Sequence, residues 1–188
     1  MLAPAYFSID VETAGPHPGS YALLSIGACA VSDLSRTFYV ELQPDHLEMT
    51  DSAFRTHGLS LEELTETGRP PAEAMADFER WLLATAPPGT QPVMVALNAP
   101  FDWSFINEYF HRYLGRNPFG HSALDIKALF MGVQGMSWEQ TGYRHISRHF
   151  GIERSLQHQA LQDALDQAAL FNEILKEIDH AGQIEPGS

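Results

Sequence analysis

The order of two kinds of apolar pattern restricts the fold of this chain more than any other feature. Up to residue 42, apolar and β-branched residues come in strand-like runs: Ala5–Asp10, bounded by Pro4, then Tyr21–Val31 and Thr37–Leu42. The last two flank Ser32-Asp33-Leu34-Ser35-Arg36 and read as an antiparallel hairpin. Ala14-Gly15-Pro16-His17-Pro18-Gly19-Ser20, between the first two runs, is a loop by composition. From residue 60 onward helical spacing dominates. Ser60 and Glu63 have capping-box spacing, Pro70-Pro71 opens a helix with Ala74, Met75, Phe78, Trp81 and Leu82 along it, and Pro87-Pro88-Gly89 stops it. Strand-like Val93–Leu97 precedes a helix over about 100–114, and Ser122–Ile126 reads as a last strand. Ser137 and Gln140 form a second capping box for a helix running to Gly151. A final helix over about 159–178 presents Ala164, Ala168, Phe171, Leu175 and Ile178 as one stripe. Strands first, then strands alternating with helices, indicate an α/β fold with a mixed sheet and helices on its faces.

No linker or internal repeat divides the sequence, and 188 residues suit one domain, with a core over about 5–178 and a short tail at 179–188. The 44% hydrophobic content is enough for a core and excludes global disorder. The lone Cys29, within Ala28-Cys29-Ala30-Val31, reads as a small core residue rather than a nucleophile. No basic-then-apolar leader opens the chain and no apolar run approaches the ~20 residues that span a bilayer, so a soluble, cytoplasmic protein is expected. The net charge of −13, with only 11 Lys and Arg, allows no broad basic track for nucleic acid. Either the protein binds none, or it grips a short end while divalent metals neutralise the phosphates.

Three motifs bear on chemistry. In Ile9-Asp10-Val11-Glu12-Thr13 the carboxylates are two apart, which on a strand points both to one face at the strand's C-terminal end, where open α/β sheets place ligands. Two such groups repel unless a cation lies between them, and an oxygen-only donor set suits Mg²⁺ or Mn²⁺, with a solvated strand end as the other reading of this pair. Asn98-Ala99-Pro100-Phe101-Asp102 follows the Val93–Leu97 run, and Pro100 in a first helical turn puts Asp102 near a helix N-terminus, whose dipole favours its charge. In His158-Gln159-Ala160-Leu161-Gln162-Asp163 the two outer side chains would sit about 140° apart on one helix. They converge only if His158 lies in the loop before the helix, as Leu156-Gln157 allows, and Asp163 one turn inside it. Asp163 rather than Asp166 is then the ligand; a polar surface histidine near a helix start is the other reading of His158.

In order, Asp-x-Glu, Asn-x-x-Phe-Asp and His-x-x-x-x-Asp resemble the DEDDh 3′→5′ exonuclease family, which includes replicase proofreading subunits, ribonuclease T and oligoribonuclease. The resemblance runs from Asp10 to Asp163 and on through the final helix, and implies a ribonuclease H-like fold with a five-stranded mixed central sheet flanked by helices. It implies that Asp10, Glu12, Asp102 and Asp163 hold two Mg²⁺ or Mn²⁺ ions. His158 would be the general base, and nucleoside 5′-monophosphates would leave single-stranded DNA or RNA 3′ ends. Thr13 and Phe101 match positions that contact the terminal nucleotide, with core packing as the other reading of Phe101. Asn98 is similar, or a strand-end cap. His57, in His57-Gly58-Leu59, matches a segment bordering the substrate groove; an exposed histidine at a Gly-terminated helix end is the alternative. Ala14 and Leu97 depart from the family where many relatives have Ser or Thr and His, which bears on how the terminal sugar is held. Relatives of the ribonuclease T type are dimers, so a homodimer is an open expectation.

His145 and His149 are four apart on an expected helix but lack the zinc-protease Glu, and read as surface residues. Asp125 reads as a solvated strand-end carboxylate or a support for the site, and Trp138 and Tyr143 as core or rim residues. Two rival functions remain: a non-catalytic module that binds nucleic-acid ends, and a phosphodiesterase for very short oligonucleotides or small nucleotides.

Overall fold

The computed structural model describes residues 2–152 and 157–183. Along the chain run β1 (Ala3–Thr13), β2 (Leu23–Ala30), β3 (Asp33–Glu41), α1 (Asp51–His57), α2 (Leu61–Thr67), α3 (Pro71–Thr85), β4 (Thr90–Ala96), α4 (Ala99–Leu114), β5 (Ala123–Asp125), α5 (Ile126–Gln134), a 3₁₀ turn (Trp138–Thr141), α6 (Tyr143–His149) and α7 (Ala160–Gln183). The strands form one five-stranded mixed sheet in the order β3-β2-β1-β4-β5. β2 lies between β1 and β3 and runs antiparallel to both, whereas β4 runs parallel to β1 and β5 parallel to β4.

Alternation along the strands gives the sheet two buried faces. Phe7, Ile9 and Val11 of β1, with Ile26, Ala28, Met94 and Ala96, meet Ala74, Met75, Phe78 and Leu82 of α3 and Phe105, Ile106, Tyr109 and Phe110 of α4. Phe78 stacks on Phe38 and Phe110 at centroid distances of 5.0 and 5.6 Å. On the other face Cys29 and Val95 pack with Phe130 of α5, Ile146 of α6 and Ala168, Phe171 and Ile174 of α7. Asp10 and Glu12 belong to this second face by strand parity.

β1 is longer than Ala5–Asp10 at both ends. Pro4 is tolerated because the β2 ladder begins only at Phe7, leaving β4 as the one neighbour there. At the far end β1 pairs with β2 as far as Thr13↔Leu23, with a register shift after Glu12, but its pairing with β4 stops at Ser8↔Val95. The two carboxylates therefore lie where β1 has kept one neighbour and lost the other.

Other boundaries differ for local reasons. The expected helix from Ser137 to Gly151 is two pieces: the Ser137 capping box starts a 3₁₀ turn, and Gly142 in extended conformation restarts the chain as α6. Ser122–Ile126 is a three-residue strand, because Asp125 accepts a bond from Ala128 N–H and turns the chain into α5, a helix the sequence reading lacked. α7 runs on to Gln183, five residues beyond its expected end, and Ile178 is exposed rather than part of the buried stripe. Ile174 takes its place, and the buried face of α7 also includes Asp163, Asp166 and Gln167.

Candidate active site

Each carboxylate is placed by a different local device. Asp10 and Glu12 follow from strand alternation on β1. Asp102 replaces a missing ladder bond: where β4 has peeled away, its Oδ1 accepts a hydrogen bond from Val11 N–H at 3.1 Å. Asn98 makes the turn that brings α4 there. It adopts a left-handed conformation (φ 69°), which asparagine tolerates better than most residues, and it is an exposed N-cap without a side-chain capping bond. Asp125 steadies the same turn, accepting from Ala99 N–H at 2.6 Å while capping α5, so it is not a solvated strand end.

Asp163 lies in the first turn of α7, and its two oxygens accept from Gln157 N–H (2.8 Å) and His158 N–H (3.0 Å). The helix thus holds the loop before it, with His158 in left-handed conformation (φ 55°) and its ring exposed. This is the loop-then-helix arrangement that lets the two side chains converge; Leu156 lies outside the described residues. α7 comes this close to the sheet because residue 27 is glycine: a Cβ there would stand 2.1 Å from the Ala160 carbonyl carbon.

Asp10, Glu12 and Asp163 can each place one oxygen within 4.8 Å of the others. Asp102, buried on the adjoining wall, stands outside that trio but is the strongest charged neighbour of Asp10. Burial, then the charges of Asp102, Glu12 and Asp163, hold the Asp10 carboxyl well above its ordinary range, against a hydrogen bond from Gln167. Burial and Asp163 push Glu12 up to about 7. Burial takes Asp102 to about 8 despite backbone hydrogen bonds that favour the ionised form, and burial also raises Asp163. A set of oxygen donors that resist ionising together is what a hard divalent cation would relieve, so these residues fit such an ion.

A cavity of about 470 Å³ opens over the cluster, lined by the four carboxylates, Thr13, Thr56, His57, Asn98, Phe101 and His158. Every site residue named from the sequence lines it. Thr13 is buried, with its hydroxyl donating to Gly15 O at 2.8 Å. Phe101 is half-buried and packs on Phe105, 5.5 Å between centroids, so it serves core and cavity at once. His57 is half-buried rather than exposed, and both ring nitrogens are engaged. Leu59 N–H donates to Nδ1 at 3.0 Å, which places the proton on Nε2, 3.2 Å from Thr13 O. The neutral ring therefore staples α1 to the end of β1, and burial lowers its pKa. A second cavity of about 440 Å³ adjoins the first across Glu12, His57 and His158, with Tyr39, Glu41 and Leu161 beyond.

The exonuclease family model RNase_T matches residues 7–171 of this chain, from the first core strand through the third motif. The chain belongs to that exonuclease family. It is 45% identical over 171 residues to the 3′-5′ DNA exonuclease Cap18 of Escherichia coli, a match covering 91% of each chain. Two solved structures share its fold. One is E. coli exonuclease I in complex with a dT13 oligonucleotide (TM-score 0.74, 19% identity, 95% of this chain but 42% of that one). The other is the nuclease domain of 3′hExo, described as a DEDDh family member bound to rAMP (TM-score 0.72, 12% identity, 93% and 92% covered). The fold is thus ribonuclease H-like, as the motif order implied.

Sequence reasoning missed Gln167 and left Asp125 as one of two alternatives. Gln167 is 1% exposed and bonds both Asp10 and the end of β4. Its position four residues after Asp163, on the same helical face, was the available signal. His145 and His149 are exposed on α6 and do not join the site. Tyr143 is buried, and Trp138 is exposed with Lys127 Nζ 3.9 Å from its ring centroid.

Proposed function

We propose that this protein is a metal-dependent 3′→5′ exonuclease that shortens single-stranded DNA from its 3′ end and releases nucleoside 5′-monophosphates. The observation that supports it most is the convergence of Asp10, Glu12 and Asp163 within 4.8 Å, with Asp102 behind them and His158 at the rim of one cavity. Divalent ions, two in this reading, held by the four carboxylates would neutralise the scissile phosphate and polarise the attacking water. His158 takes the water's proton: its ring is exposed, and its backbone is anchored to Asp163. Thr13, Asn98, Phe101 and His57 line the space for the terminal nucleotide, with the half-buried Phe101 ring offering the base an apolar face.

Preference for DNA over RNA rests on the 45% identical DNA exonuclease. The charge of −13 favours a short grip on the strand end, and the same charge supports a second reading, hydrolysis of very short oligonucleotides. A 5′-labelled single strand with a free 3′-hydroxyl, as DNA and as RNA, separates these when incubated with Mn²⁺ or EDTA beside a dinucleotide and an Asp10→Ala control. The expected result is a Mn²⁺-dependent ladder from the 3′ end of DNA that the control lacks. Turnover of the dinucleotide alone would favour the second reading. No cleavage of any of them would favour a module that binds ends without cutting.

A further inference from the structure

We propose that Gln167 is a positioning residue that fixes the Asp10 carboxylate for metal binding, an inference resting on the metal site proposed above. The side chain is 1% exposed and both ends of its amide are engaged. Leu97 N–H can only donate, and it reaches Gln167 Oε1 at 2.8 Å. That bond settles which end of the amide is oxygen, so Nε2 must face Asp10, and it donates to Oδ1 at 2.6 Å. Both bonds are part-buried, and the amide itself is withdrawn from water, so that an unmade bond is costly.

The position of Gln167 matters as much as its chemistry. It stands one helical turn after Asp163 on α7, bonds Asp10 on β1, and bonds the residue that follows β4 and leads through Asn98 into the Asp102 helix. One amide therefore registers the three segments that deliver the carboxylates. Asp10 lies in the part of β1 that has lost β4 as a neighbour, and Gln167 spans the opening gap between the two strands. By occupying one lone pair of Oδ1, it leaves the rest of the carboxylate aimed into the cavity. Hydrogen-bond partners of this kind set the orientation and basicity of a ligand, and removing one typically weakens metal binding or activity about 10–100-fold.

Gln167→Met keeps the volume and removes both bonds. Gln167→Asn keeps an amide for Leu97 N–H but is one methylene short of bridging to Asp10, which makes it the variant to use if the Met protein does not fold. Each would be checked for native circular dichroism, titrated with Mn²⁺ by calorimetry, and assayed on single-stranded oligothymidylate across Mn²⁺ concentrations. The expected outcome is Mn²⁺ affinity reduced about 10–100-fold. A matching fall in kcat at low Mn²⁺ should recover as Mn²⁺ is raised, while KM for the oligonucleotide stays put. A merely structural role would lower Tm and leave the Mn²⁺ affinity of the folded protein unchanged, and that result in either variant would overturn the proposal. Asp10→Asn distinguishes the two levels of failure. If it too bound Mn²⁺ like the parent, the metal-site reading would fall; if it lost Mn²⁺ while the folded Gln167 variants did not, only the role of Gln167 would.

Discussion

His158 combines an exposed imidazole with a constrained backbone. Its N–H and that of Gln157 are both bound by Asp163, and φ is 55°, so the main chain is fixed while the ring stands free at the cavity rim. Removing the ring should therefore separate proton transfer from metal binding, because alanine retains the N–H that Asp163 holds. His158→Ala is expected to slow hydrolysis about 10²–10⁴-fold. Its Mn²⁺ affinity should stay close to the parent's when followed by calorimetry, and unimpaired turnover would remove His158 from the reaction. His57 differs in kind, since both its nitrogens are already committed to backbone groups. The pattern His-Gly-Leu revealed that a histidine stood at a helix end, but not that the ring turns inward, because the acceptor, Thr13 O, is 44 residues away.

At the level of elements, the site depends on how closely the start of α7 approaches β2. Gly27 sits opposite Asp10 in the β1–β2 ladder, and a methyl group there would meet the backbone of Ala160 and Leu161 at 2.1–2.2 Å. Neither backbone nor sheet can yield locally, so the helix must move, taking Asp163 and the His158 loop with it. Gly27→Ala is expected to lose about 1–3 kcal/mol of stability, the usual cost of overpacking. It should also lose at least about tenfold in kcat/KM, since displacements near 1 Å can cost about 10²-fold. Gly115, at the end of α4 with φ 70° and open space around it, is the comparison. Gly115→Ala should cost about 1–2 kcal/mol through backbone strain alone. Urea unfolding and initial rates on both variants test the contrast; an equal loss of activity would show that the approach of α7 is not what matters.

For the molecule as a whole, the carboxylate cluster sets a trade between stability and binding. Glu12 moves from 4.5 to about 7 and Asp102 from 3.8 to about 8 on folding, and Asp10 and Asp163 are also raised. Between roughly pH 4.5 and 8 the metal-free native state holds more protons than the unfolded chain, so its stability falls as pH rises. Asp45, which burial would raise but hydrogen bonds from Tyr109, His46 and Tyr113 hold down, acts with the opposite sign below this window, and His57, lowered by burial, opposes the four carboxylates within its acidic part. Metal-free protein should therefore melt at a lower temperature at pH 8 than at pH 5. Mn²⁺ should raise Tm more at pH 8, where it replaces fewer protons. Thermal melts in EDTA and in Mn²⁺ at the two pH values check this, and a Mn²⁺ shift independent of pH would contradict it. Among the described residues, no helix is long and apolar enough to cross a membrane.

What the sequence determined by itself was whatever depends on near neighbours in the chain. Period-2 and period-3.6 patterns, proline and glycine punctuation and capping spacings located all five strands to within about four residues and most of the helices. Residues two apart on a strand, or just before and one turn into a helix, identified Asp10, Glu12, His158 and Asp163 as groups able to converge. Local rules failed where a contact is distant or a buried residue is polar. The buried face of α7 holds Asp163, Asp166 and Gln167, so an apolar stripe drawn through Ile178 slid off the true face. The replacement of a ladder bond by Asp102, the inward turn of His57, the Gln167 bridge and the need for glycine at position 27 join residues between 44 and 157 positions apart. Only the folded chain decides them, because hydrogen bonds and steric limits act through space, and sequence spacing encodes proximity for no more than about one turn or one strand pair.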